Sequence, residues 1–137
     1  MGTTVVLADD NEDHRTVVRF VLELAGDVVS IVGEAVDGQE ALELVRRERP
    51  DLVIADVVMP NLDGLELTAL VKRARPETKV IILTGYGGPD FRAVAWRNGA
   101  DAYVSKRDVA GELVPAIRRV VDPDRDASGP AGLGAGI

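Results

Sequence analysis

Three carboxylates, a hydroxyl and an ammonium end four apolar runs of this chain. Asp9 and Asp10 follow Val5-Val6-Leu7-Ala8, and Asp56 follows Leu52-Val53-Ile54-Ala55. Thr84 follows Val80-Ile81-Ile82-Leu83, and Lys106 closes Ala102-Tyr103-Val104-Ser105. Groups of these types can hold a hard divalent ion and a phosphoryl group. Mg2+ takes oxygen ligands, keeps several waters and commonly uses one or two carboxylates together with a phosphate. Adjacent carboxylates such as Asp9 and Asp10 repel unless they are exposed or neutralised by a cation. A carboxylate such as Asp56 can attack phosphorus and form an aspartyl phosphate. Thr84 can donate to a phosphoryl oxygen, with Gly85 leaving room for a phosphodonor. Lys106 can pair with Asp56 at rest and with the phosphoryl oxygen afterwards, offsetting the charge that builds there.

Each residue alone has an ordinary explanation. Acidic residues before a helix are common caps, a strand-end Thr is usually structural, and a strand-end Lys is usually solvated. Jointly they require elements that bring them together. Five strand-like runs, near residues 3–8, 29–35, 51–55, 79–84 and 101–105, alternate with five helical segments, which predicts βαβ units and an α/β fold with a parallel sheet. Continuous apolar runs mark strands buried on both faces, as in a sheet sandwiched between helices. The strands of such a sheet point one way, so the residues that end them gather at one edge, where open α/β sheets bind ligands.

The helices have legible ends. The first is expected over Glu12–Ala25, with Val17, Val18, Val21, Leu22 and Leu24 on its apolar side and Gly26 as its stop. Asp37 and Glu40 announce the second, which ends before Pro50. The third spans about Leu65–Arg75, stopped by Pro76. The fourth starts near Pro89-Asp90 and stops at Asn98-Gly99. The fifth covers about Ala110–Val121. In the loop after Asp56, Pro60 adds stiffness and Asp63-Gly64 a turn. Residues 122–137, rich in Gly, Pro and Ala, read as a flexible tail or linker.

Bulk composition narrows the classes. At 137 residues, 46% apolar and 28% charged, the chain is one ordinary globular domain. It has no cysteine, hence neither a disulfide framework nor a thiolate metal site. Net charge is −7 with Lys and Arg dispersed, which argues against direct nucleic-acid binding by this segment. No apolar stretch approaches the roughly 20 residues that span a bilayer, and the N-terminus lacks the pattern of a signal peptide. The expected location is the cytoplasm, with no membrane partner.

These residues carry a resemblance. Asp9-Asp10, the Asp56-x-x-Met59-Pro60-x-x-Asp63-Gly64 loop, Thr84-Gly85 and Tyr103-x-x-Lys106 resemble, in order and spacing, the receiver domain of bacterial two-component response regulators over about residues 3–121. The resemblance implies a receiver domain at 1–121 with a flavodoxin-like, doubly wound five-stranded sheet of order 2-1-3-4-5 flanked by five helices. It implies that Asp56 accepts a phosphoryl group from a sensor histidine kinase or a phosphotransfer protein. Asp10, Asp56 and the Val58 backbone carbonyl would bind Mg2+ (or Mn2+) directly, and Asp9 through a water. Thr84 would move toward the phosphoryl group as the Tyr103 ring turns inward, remodelling the face of the fourth helix, fifth strand and fifth helix. Arg92, Trp96 and Tyr103 mark that output face, the expected place for a homodimer. Beyond self-phosphorylation and self-dephosphorylation, no enzyme activity is implied.

Two departures matter. Arg107 follows Lys106 where the family usually has Pro, and Ser105-Lys106-Arg107-Asp108 looks more like regulators with helix-turn-helix outputs of the LuxR kind. Val58 and Tyr86 occupy positions where polar residues often orient the hydrolytic water, so slow self-dephosphorylation is expected. Two competing readings stand beside the switch. An Asp-nucleophile phosphatase of the haloacid-dehalogenase kind needs an acid two residues after the nucleophile, where this chain has Val58. A phosphorylation-independent scaffold would typically have lost pocket residues, and this chain keeps them all. His14, the only histidine, reads as a surface residue. Trp96 suits an exposed anchor or half-buried packing with Phe91 and Val94, the latter being preferred. Arg46, Arg47 and Arg49 read as a solvated face at a helix C-terminus. Whether the chain is a stand-alone receiver or is cut in the linker before a DNA-binding domain stays open at this point, as do the kinase and the signal.

Overall fold

The structure, a computed structural model, describes residues 2–24, 29–85 and 89–121, with the backbone alone at Pro89 and Asp90. Ala25 and Gly26, read as the end of the first helix, lie outside the described residues, as do Tyr86 and the 122–137 segment. The elements are β1 (Thr3–Ala8), α1 (Glu12–Leu24), β2 (Val29–Ala35), α2 (Gly38–Glu48), β3 (Leu52–Asp56), α3 (Gly64–Ala74), β4 (Lys79–Thr84), α4 (Pro89–Arg97), β5 (Ala102–Ser105) and α5 (Val109–Val121). A 3-10 turn at Lys106–Asp108 leads into α5. The five strands are all parallel, in the order β2-β1-β3-β4-β5.

The period of two along each apolar run divides the core in two. Val5, Leu7, Leu52, Ile54, Ile81, Leu83, Ala102 and Val104 project to one face, where Val18, Val21 and Leu22 of α1 and Leu113, Ala116 and Ile117 of α5 cover them. Val6, Ala8, Val53, Ala55, Val80 and Ile82 project to the other, under Leu42 and Val45 of α2, Leu67 and Val71 of α3 and Ala95 of α4. Burying each Val, Leu or Ile contributes about 1.5–3 kcal/mol, and β3, buried at all five positions, is the most enclosed strand.

Several boundaries differ from expectation for physical reasons. Asp51 and Asp101, expected inside strands, stand just before them and tie the strand starts together through their carboxylates. Asp51 Oδ2 accepts from the Thr4 N–H at 2.9 Å, and Asp101 Oδ2 from the Val80 N–H at 2.9 Å. The third helix starts at Gly64 because Asp63 caps it in a reciprocal box with Glu66. Arg49, in the left-handed region at φ 48°, ends α2 before Pro50. On α1, Val17 and Leu24 do not face the core. With Phe20 they form an exposed stripe (49%, 73% and 61% exposed), because a helix this close to the sheet buries one narrow row and turns positions 17, 20 and 24 outward. No described helix is long and apolar enough to cross a membrane.

Candidate functional site: the C-terminal edge of the sheet

Register and alternation together decide which side chains meet. Ala8 pairs with Ala55, so Asp9 and Asp56 follow side by side on neighbouring strands. Carried one residue past the strand ends, the alternation places Asp9, Asp56 and Lys106 on the face shared with α1 and α5. Thr84 continues the other parity, with Val80 and Ile82. Tyr103 lies on that same side, packed against the α2–α4 core.

Lys106 is the centre of the edge. Its Nζ donates to Asp9 Oδ2 and to Asp56 Oδ2, each at 3.1 Å, and to His14 Nδ1 at 2.7 Å. An ammonium has three donors and no acceptor, so these three bonds use it fully. Asp9 is held on every side. Its Oδ1 accepts from the Asn11 N–H at 2.9 Å, its N–H donates to the Ala35 carbonyl at 3.0 Å, and its carbonyl accepts from Arg15 at 2.6 Å. Arg15 and Arg19 both pair with Glu34 of β2, tying α1 to the sheet beside the site. Burial pushes the Asp56 carboxyl above its ordinary value. The Lys106 hydrogen bond and charge and the Val57 N–H pull it down, the Asp9 charge raises it further, and the balance stays upward.

The loop after Asp56 folds back on it. The Gly64 N–H donates to the Val57 carbonyl at 2.8 Å, and a Cβ on Gly64 would lie 2.0 Å from the Asp56 carbonyl oxygen, so only glycine fits there. Asn61, at φ 69°, donates its side chain to Asp37 Oδ2 at 2.9 Å and pins the loop to α2. Above the edge opens a cavity of about 560 Å³ lined by Asp10, Asn11, His14, Asp56, Val58, Gly85 and Lys106. Val58 is 51% exposed at its rim. A Cβ on Gly85 would meet nothing within 4 Å, so this side of the cavity is open to an incoming group.

The carboxylates of this edge fit a hard cation by the chemistry of their donors. The nearest ligand atoms of Asp9, His14 and Asp56 lie within 4.8 Å of one another. Asp10, exposed, contributes a further carboxylate from the cavity wall.

Residues 5–118 match the family described as "Response regulator receiver domain". The chain belongs to this family. The receiver is 35% identical over 121 residues to the oxygen regulatory protein NreC of Staphylococcus carnosus, covering 88% of this chain and 55% of that protein. It is 36% identical over 122 residues to the response regulator UvrY of Escherichia coli, covering 88% and 55%. A two-component response regulator of the LuxR family from Aurantimonas matches with a TM-score of 0.84 at 30% identity, over 90% of this chain and 87% of that one. A DNA-binding response regulator of the LuxR family from Staphylococcus aureus gives 0.81 at 32%, over 88% and 99%. The receiver thus has the flavodoxin-like fold and LuxR-family relatives, and it spans about half the length of the curated relatives it matches.

Within the receiver, Asp10, Asp56, Val58 and Lys106 share the cavity, and Asp9 lies beneath it, bonded to Lys106. Thr84 is fully buried at the end of β4. Tyr103 is half-buried away from the cavity, its ring 5.5 Å from the Arg92 guanidinium carbon, and burial raises its hydroxyl pKa. Trp96 is 51% exposed, not half-packed as preferred from the sequence, because α4 presents the small Ala95 to the core and its neighbour projects about 100° away. The loop without the usual proline forms its 3-10 turn with Ser105 Oγ accepting from the Arg107 N–H at 3.3 Å.

His14 is exposed, as its place early in the first helix implies, but it is more than a solvated side chain. It belongs to the receiver's site, 2.7 Å from Lys106 and 3.5 Å from Asp9. The clue was positional: a helix starting at Glu12, three residues after a strand-end aspartate, puts its first turn over the same edge.

Proposed function

We propose that this receiver is a phosphorylation-activated switch whose acceptor is Asp56. The observation that carries this reading is the Lys106 ammonium bonded at 3.1 Å to both Asp9 and Asp56, beneath an open cavity. An Asp56 carboxylate oxygen attacks phosphorus of a phosphohistidine, on a sensor histidine kinase or a phosphotransfer protein. The P–O bond forms as the P–N bond breaks, and the imidazole leaves with the electron pair. Mg2+ would be held by Asp10, Asp56 and the Val58 carbonyl, with Asp9 acting through a water, and when bound it supplies positive charge for the equatorial phosphoryl oxygens. Burial of Asp56 keeps competing water away from the acceptor, and Lys106, already bonded to it, needs only a small shift to reach a phosphoryl oxygen.

Thr84 then donates its hydroxyl to the phosphoryl group, and Tyr103 follows into the space on the α4 side. The Arg92 contact over the Tyr103 ring changes with it, which carries a charge event at the edge to the surface of α4, β5 and α5. Exposed Trp96 and Arg92 make that surface suited to a second copy of the chain or to an output segment. The cytoplasm, where a kinase domain is reached, is the location this implies.

Incubation with acetyl phosphate and Mg2+ tests the reading: a single acid-labile phosphoryl group on the wild type, absent in Asp56→Asn, is the expected result. Equal labelling of the variant would overturn it.

A further inference from the structure

We propose that Asp9, His14 and Asp56 form a site for a divalent transition ion of the zinc, cobalt or nickel class, which takes the place of the Lys106 ammonium. The ammonium already shows that the three groups converge on a cation. Two carboxylate oxygens and one imidazole nitrogen surround it at 3.1, 3.1 and 2.7 Å. Zinc-type bonds to N and O are about 2.0–2.2 Å, so two ligands of a tetrahedral ion stand roughly 3.4 Å apart. Asp9 Oδ2 and His14 Nδ1 are 3.5 Å apart as they stand. The Asp56 oxygen needs to move by no more than the difference between 4.8 Å and that spacing.

Ligand chemistry separates this site from an all-oxygen one. Mg2+ takes hard oxygen donors and has no use for an imidazole, whereas imidazole suits zinc, nickel and copper. The supports of a metal site are also in place. The Asn11 N–H holds Asp9 Oδ1 and leaves Oδ2 turned inward, an orienting contact of the kind that fixes ligands. The Asp9 and Asp56 side chains are 4% and 10% exposed, while that of His14 is 48% exposed, so the ion has a dry floor and an entry path. A dication on two carboxylates repels Lys106, whose long side chain swings into the cavity. If Asp56 is the phosphoryl acceptor, as proposed above, the bound ion takes one Asp56 oxygen and competes there with the Mg2+ of that reading.

The chain has one histidine and no cysteine, so an imidazole-dependent signal can come from His14 alone. Calorimetric titration of the tag-free chain with zinc chloride, and separately with magnesium chloride, is the test. One zinc should bind, His14→Gln should weaken it at least ~10-fold, and magnesium affinity should change by less than ~2-fold. Lys106→Met should tighten zinc, since its competitor is gone. Stoichiometric Co2+ should shift or broaden the single set of imidazole proton resonances. Zinc affinity indifferent to His14→Gln, or imidazole resonances untouched by Co2+, would overturn the proposal. Failure of the phosphorylation reading would look different: no labelling of Asp56 by acetyl phosphate, with zinc binding still dependent on His14.

Discussion

At the edge where the strands begin, Asp51 and Asp101 spend their carboxylates on the fold. Asp51 Oδ2 accepts from both the N–H and the hydroxyl of Thr4, and Asp101 accepts from Val80 while pairing with Lys72 at 2.7 Å. Fully buried Thr78 joins them, donating to the Pro50 carbonyl at 2.8 Å and accepting from Arg75 at 3.0 Å. At the edge where the strands end, Asp9 and Asp56 both turn an oxygen to one ammonium, under a cavity. Both edges carry aspartates and a lysine. The residue types therefore do not distinguish them. At one edge each carboxylate is bonded across strands to a backbone amide, whereas at the other the two like charges share a single ammonium beside an open cavity. The first arrangement stabilises, and the second stores reactivity.

Substitutions at the two edges should accordingly have opposite signatures. The largest effect is expected from Asp56→Asn, which replaces the nucleophilic carboxylate by a neutral amide: phosphorylation by acetyl phosphate should fall by a factor of ~10³ or more, below detection by mass. At the other edge, Thr78→Val removes the hydroxyl that donates to the buried Pro50 carbonyl and accepts from Arg75 Nε. It should cost about 1–3 kcal/mol in urea denaturation while the labelling rate stays at the wild-type value. A labelling rate that fell with it would erase the contrast.

Asp56→Asn should also stabilise the fold. Because burial holds the folded carboxyl above its ordinary 3.8, the native state binds a proton more readily than the unfolded chain, and stability falls as pH rises through the raised pKa. The variant escapes this loss, so its Tm should exceed that of the wild type at neutral pH. The difference should shrink as the pH falls below the ordinary carboxylate value, where the carboxyl is protonated in both the folded and the unfolded chain. A wild type more stable than the variant at neutral pH would mean the acceptor edge stores nothing. The smallest effect is expected at the cavity rim. Val58→Asn offers an amide to orient water and should shorten the phosphoryl lifetime roughly two- to fivefold, far less than the 10²–10⁴ of a general base.

Strand-end chemistry was legible in the sequence because buried parallel strands are continuous apolar runs, and Asp56, Thr84 and Lys106 each close one. Parity was not, since counting by twos from Val5, Leu52 and Ala102 puts Asp9, Asp56 and Lys106 on one face only once the strand register shows that those three share it. What failed were judgements that depend on how closely neighbours approach. Val17 and Leu24 have the right period for a core stripe, yet the width of the buried row is set by packing. The hydrogen bonds at the starting edge join Thr4 to Asp51 across 47 residues, which no local pattern records. A lone histidine in a first turn reads as solvated until the helix start is placed over the edge, and then it lies 2.7 Å from Lys106.

The alternation of side chains along the strands has a consequence for how such a domain diversifies. Asp9, Asp56 and Lys106 lie on the side of α1 and α5, and Tyr103 with Arg92 on the side of α4. On the proposed reading, acceptor and switch therefore lie on opposite sides of a wall one residue thick. Sequence drift around Tyr103 and Arg92 then alters the switch while the acceptor residues are inherited intact. Thr84, buried at the end of β4 and following the parity of the α4 side, is the position at which the two histories must remain coupled.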